Sequence, residues 1–137
     1  MDNTEIKLIL SVFGDKFDPI ELTHSIGIEP TKSWLKGDPI PNRPKHVIRQ
    51  ETAWEFSIGY VPTLDIQELT AMFNDVFTQK TLLIRNFSDL NKLETKVDVV
   101  IKMSNEQIPS VFLDRKFLDN INILNATIDF DFYLNTE

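Results

Sequence analysis

The sequence predicts an α+β domain. Its sheet is largely antiparallel, with four strands, short segments able to raise it to five or six, and helices on one face. Three observations lead there. Four segments alternate apolar and polar residues, which suits a sheet with one wet face better than a parallel sheet covered on both. Between them lie segments with apolar residues at helical spacing, three of them opened by an Asp that follows an apolar residue. The order β-α-loop-β-α-α-β-α-β is related to the ferredoxin-like arrangement with an extra helical insertion, and the parts at about 5–60 and 96–134 read as two β-α-β repeats.

In residues 5–13, Ile6, Leu8, Leu10 and Val12 share one face, and Lys7 and Ser11 the other. Gly14 and Asp15 turn the chain into a helix over 19–26. That helix carries many terminal signals. Asp18 is its N-cap, Pro19 its first residue, and Glu21 stands where its carboxylate can reach back to the Asp18 N–H. Phe17 and Leu22 form a hydrophobic staple, and Gly27 stops the helix in the left-handed region, with Ile28 folding back on Leu22. Residues 29–50 are a long connection through Pro30, Pro39, Pro41 and Pro44, in which Lys32–Lys36 or Val47–Ile48 supplies a short edge strand.

The second strand, 52–60, sends Trp54, Phe56, Ile58 and Tyr60 inward and Ala53, Glu55, Ser57 and Gly59 outward, and Pro62 ends it. Leu64, Asp65, Glu68 and Leu69 repeat the staple and capping box. The helix that follows, 66–79, has Leu69, Met72, Phe73, Val76 and Phe77 on its apolar stripe, and Leu83, Phe87 and Leu90 suggest another near 81–93. The third strand, 96–103, turns Val97, Val99, Ile101 and Met103 inward, and Val111–Leu113 is a candidate short strand. Asp114 caps a helix over 115–124, with Leu113 and Leu118 as its staple and Asn125 as its left-handed exit. The last strand, 126–134, sets Ala126, Ile128, Phe130, Phe132 and Leu134 against Thr127, Asp129, Asp131 and Tyr133.

At 137 residues the chain, 1–137, fits one domain. It has no cysteine, which excludes a disulfide scaffold, thiolate metal sites and a thiol nucleophile, and suits a reducing cytoplasm. The opening MDNTEIK lacks the features of a secretory leader, and no apolar run approaches the roughly 18–20 residues of a membrane span. Net charge is −7, which argues against a nucleic-acid or anionic-membrane partner. The charge is uneven: residues 32–49 carry five cations against Asp38, a net +4 that leaves −11 on the rest. The strand aromatics Trp54, Phe56, Tyr60, Phe130 and Phe132 are expected inward, so the sheet offers no base-stacking platform.

Catalytic patterns are sparse. Asp129 and Asp131 share a strand face at about 7 Å, and Asp98 or Glu55 could join them as metal ligands or an acid/base pair. No histidine or third ligand follows at useful spacing, and a solvated face paired with Lys7 or Lys102 explains them as well. His24 suits the last turn of its helix, and His46 has no identifiable nucleophile or carboxylate partner. The glycines form no phosphate cradle. No catalytic residue, metal site or cofactor is therefore expected. The distinctive stretch is the loop: Trp34 with Lys36, Asp38, Arg43, Lys45, His46 and Arg49. Core packing of Trp34 and solvated charges account for it in the ordinary way. Read functionally, it has hot-spot composition, an anchor aromatic flanked by cations.

Three blocks carry a resemblance: Phe17-Asp18-Pro19-Ile20-Glu21-Leu22-Thr23, then Gly27-Ile28-Glu29-Pro30-Thr31, then Trp34-Leu35-Lys36-Gly37-Asp38. Together they resemble the signature of a bacterial domain-of-unknown-function family, number 4279 in that series. Trp54 at the head of a strand and Asp131-Phe132-Tyr133 near the end are similar too, so the likeness spans nearly the whole chain. It implies a small stand-alone bacterial cytoplasmic protein without assigned catalytic residues, and no active site carries over. The expected function is a non-enzymatic protein-binding module, of immunity or regulatory type by analogy, using the 31–49 loop and the acidic sheet face. The alternative is a small-molecule binder or enzyme with a pocket between that loop and the sheet edge, using His46, Asp38 and Arg43 as its polar groups. A third reading is a self-associating structural protein; the sequence leaves the oligomeric state open.

Overall fold

The central strand is the most apolar in pattern, and the computed structural model, which describes residues 3–134, buries it between two neighbours. Strand β1 (Glu5–Gly14) turns Ile6, Leu8, Leu10 and Val12 into the core. Helix α1 (Pro19–Ile26) and the short β2 (Lys32–Trp34) follow, then β3 (Thr52–Pro62), α2 (Gln67–Phe77) and α3 (Thr81–Asn91). Strand β4 (Glu94–Met103), α4 (Arg115–Leu124) and β5 (Thr127–Leu134) complete the chain. The sheet order is β2-β3-β1-β4-β5, antiparallel throughout except for the parallel β4–β5 pair.

This is a ferredoxin-like arrangement with additions. Strand β2 runs parallel to β1 with β3 between them, and β4 runs parallel to β3 with β1 between them. The expected repeat of 5–60 in 96–134 is absent: β1 and β3 are adjacent and antiparallel, whereas β4 and β5 are adjacent and parallel. The reason is β2. This three-residue strand occupies the position the sequence reading gave to β3, and the loop after it reverses the chain.

The inner face of the sheet and the helices share one core, in which Trp54, Phe73, Phe77, Phe117 and Ile84 are fully buried. Polar groups in it are paired, as burial demands. Trp54 Nε1 donates to Thr23 Oγ1 at 3.0 Å, tying β3 to α1, and Asn120 Nδ2 donates to Asn74 Oδ1 at 2.8 Å, tying α4 to α2.

The helix signals prove unequal. In α1, Asp18 Oδ1 accepts from the Ile20 N–H at 3.0 Å, Phe17 and Leu22 are both buried, and Gly27 (φ 73°) returns its N–H to the Thr23 carbonyl at 2.7 Å. The reciprocal bond from Glu21 is missing; the Glu21 N–H donates instead to the Asp18 carbonyl. The other two staple pairs are less enclosed: Leu64 is 44% exposed beside buried Leu69, and Leu118 is 45% exposed while Leu113 packs against the core. Asp65 still accepts from the Gln67 N–H at 2.9 Å, but the Asp114 side chain makes no capping bond.

Four further expectations change. On α3 the buried positions are Thr81, Ile84 and Ser88; of the spaced apolar residues Phe87 packs on the core, edge-on to Phe17, while Leu83 and Leu90 are exposed. Tyr60 lies on the outer face, because a β-bulge sets Gly59 and Tyr60 against Lys7 and brings Val61 inward opposite Ile6. No strand forms at 111–113; Ser110 instead makes an isolated bridge to Asp65. On β5, Phe132 and Leu134 keep the predicted alternation but are exposed, since this edge strand runs past the helices.

Asp18→Ala is expected to cost about 1 kcal/mol in a denaturant melt, and Asp114→Ala less than half of that. Equal losses would contradict the different capping seen at the two helices.

Candidate functional site: a groove between the arm and the open sheet face

The outer face of the sheet carries no helix. From Leu35 to Arg49 the chain folds beside it as a hairpin-like arm. Asp38 starts the arm by accepting the Leu35 N–H on Oδ2 at 2.8 Å. The Arg49 N–H then donates to the Asp38 carbonyl at 2.8 Å and the Gly37 N–H to the Arg49 carbonyl at 2.9 Å. Pro39 and Ile48 form an antiparallel bridge, and the Ile40 N–H reaches the Val47 carbonyl at 3.2 Å. Gly37 at φ 93° supplies a turn that disfavours a side chain. The base is fastened by the Lys36 N–H on Thr52 Oγ1 at 2.9 Å and by the Lys36 ammonium on Asp15. That ammonium, by hydrogen bond and by charge, holds the Asp15 carboxyl below its ordinary range.

The predicted loop residues therefore separate. Lys36 and Asp38 hold the arm in place. Arg43, Lys45 and His46 lie exposed near its tip and enter no side-chain hydrogen bond or ion pair among the described residues. Trp34 and Arg49 come together, with the guanidinium carbon 3.8 Å from the Trp34 ring centroid. Trp34 is only partly buried, so it does not plug the core.

Between arm and sheet lies a groove of about 330 Å³. Its walls are Trp34, Arg49, Ile40 and Ile48, and its floor includes Ser11, Phe13, Glu55, Lys96 and Asp98. Strand register explains the floor. Trp34 stands opposite Ala53, and Ala53 opposite Phe13. Glu55 stands opposite Ser11, and Ser11 opposite Lys96. These residues share the outer face, yet Ser11 and Ala53 are buried there. The expected polar groups His46, Asp38 and Arg43 are not among the groove residues; Arg49, Glu55, Lys96 and Asp98 are.

The electrostatics are asymmetric across the face. Lys96 Nζ lies 3.7 Å from Asp98 and 3.9 Å from Asp129, making it the cation of the carboxylate cluster. Lys7 and Lys102, expected to pair with these aspartates, instead lie over the Tyr60 ring at 4.6 and 4.4 Å. Burial raises the Asp98 carboxyl above its ordinary value of 3.8, Lys96 opposes the rise, and Asp129 and Asp131 add to it. No group of three His, Cys, Asp or Glu among the described residues could hold a metal ion. Likewise, no helix among them is long and apolar enough to cross a membrane.

Sequence reading missed Phe13, Ile40, Ile48, Glu55 and Lys96 as partners of Trp34 and Arg49. The available signal was alternation itself: Phe13 and Ile9 are apolar on the face assigned to water.

A family model described as Domain of unknown function (DUF4279) matches residues 4–135. No curated protein and no solved structure matches the chain.

The Asp98 shift has a defined sign. A carboxyl raised in the folded state leaves the unfolded chain more acidic, so stability falls as pH rises through the folded value. Asp98→Asn is expected to stabilise the protein at pH 7, with the gain vanishing as pH falls below about 3.8. Denaturant midpoints across that range check it; an Asn variant less stable at pH 7 would contradict the assignment.

Proposed function

The chain belongs to the family described as Domain of unknown function (DUF4279), which carries no activity to transfer, and we propose that it is a non-enzymatic binding module for a protein partner. The partner contacts the arm and the outer sheet face, in a regulatory or immunity-type role. A cytoplasmic setting in a bacterium is part of this reading, supported by the cysteine-free sequence and the signature blocks.

One observation carries the proposal. The stacked Trp34–Arg49 pair stands at a groove beside exposed cations on an otherwise acidic protein. Trp and Arg are enriched at interface hot spots, and unlike charge patches steer a partner and set its register. Small-ligand binding is the second reading, favoured by a volume of about 330 Å³, near the lower end of ligand pockets.

Capture from native-cell extract at modest salt tests the first reading. The wild-type chain is expected to retain a partner, and Trp34→Ala with Arg49→Ala to weaken it by about 30-fold or more, the cost of losing a hot spot. Leu90→Ala, an exposed position on α3 and so on the far side of the sheet, should leave capture unchanged. No captured partner, or equal capture by the Trp34/Arg49 double variant, would overturn the proposal.

A further inference from the structure

Two half-buried charges of opposite sign line the groove without being neutralised. Arg49 stacks on Trp34, yet its Nε is buried with no hydrogen-bond partner. Glu55 is half-buried, and the Ser11 hydroxyl donates to its Oε2 at 3.4 Å. Neither residue enters an ion pair among the described residues, with each other or with any other group. Lys32, opposite Glu55 in register, is exposed and forms no ion pair with it. Lys96 is already engaged with Asp98 and Asp129. The enclosed Nε is out of a ligand's reach, but the rest of the half-buried Arg49 lines the cleft with Glu55. A partly desolvated charge without an ion-pair partner costs stability, so the two favour a ligand that pairs with both.

We propose that the groove binds an α-amino acid zwitterion with an apolar side chain, its carboxylate on Arg49 and its ammonium on Glu55. Register brings the two charges to one surface: Trp34, against whose ring the Arg49 guanidinium lies, stands diagonally across the strand pair from Glu55, and Arg49 and Glu55 both line the groove. Arg suits the carboxylate because its fork donates two parallel bonds. Ser11 orients Glu55 from the neighbouring strand. Ile40, Ile48 and Phe13 supply apolar wall for the side chain, which disfavours a second charge there.

This site shares Arg49 with the protein-partner reading but not its test: amino-acid binding is measured on the free chain, and Glu55 enters only here, so either reading can fail while the other stands.

Calorimetric titration of the full chain with L-leucine, L-phenylalanine, N-acetyl-L-leucine and L-leucinamide tests it. Both free amino acids are expected to bind, and each blocked analogue to bind at least about tenfold more weakly, the scale of one lost charged hydrogen bond. Arg49→Gln should erase the preference for leucine over leucinamide. Glu55→Gln should erase that for leucine over N-acetyl-leucine. Thermal melts showing cooperative unfolding confirm that each variant is folded, and a conservative Arg49→Lys provides a second probe, expected to keep part of the carboxylate preference. No binding of either free amino acid at millimolar concentration, or equal binding of the blocked forms, would overturn the proposal.

Discussion

Every helix packs on the same side of β1, and the rest of the molecule follows from that constraint. Ile6, Leu8, Leu10 and Val12 meet the helices, so Lys7, Ile9, Ser11 and Phe13 must face the other way. A sheet whose ladder bonds are made inside the sheet can leave one face wet, which antiparallel sheets commonly do. The edges need separate treatment, because unpaired backbone invites another strand. Here one edge is shortened to the three residues of β2, and the other carries Asp129 and Asp131 along β5.

The open face explains why the 35–49 arm is where it is. Phe13 and Ile9 would otherwise lie fully against water, and the arm sets Ile40 and Ile48 beside part of that surface. It is held by its own backbone bonds and by Thr52 and Asp15 at its base, so it acts as a wall rather than a plug. A wall standing off a sheet makes a groove. The Trp34–Arg49 stack joins the two, since Trp34 belongs to the edge strand and Arg49 to the returning limb of the arm. The protein is therefore cationic along the arm and anionic across Asp98, Asp129 and Asp131, and the groove lies between.

Much of this was legible in the sequence where one local rule acted alone. Period-two alternation placed β1 and β4, and the agreement of Asp18, Pro19 and Gly27 placed α1 nearly to the residue. Reading failed where tertiary context decided. A staple is enclosed only where tertiary packing covers both of its residues, and Leu64 and Leu118 stay about half exposed. Period two also cannot reveal a bulge, so Tyr60 was assigned inward although it lies beneath Lys7 and Lys102 on the outer face. Charge singles out the loop, but charge alone could not separate Lys36 and Asp38, which fasten the arm, from Arg49, which lines the groove. Register across four strands was needed to bring Trp34, Glu55, Ser11 and Lys96 to one surface, and short-range pattern carries no such information.

The groove exists only if the arm is a fixed wall in the free protein. Amide hydrogen exchange measures this residue by residue. The Gly37, Ile40 and Arg49 amides, each bonded within the arm, should be protected well above their unstructured rates, while Arg43, Lys45 and His46 exchange freely. Unprotected exchange at Gly37 and Arg49 in the free protein would mean that the arm does not stand against the sheet, and the groove would lose its wall.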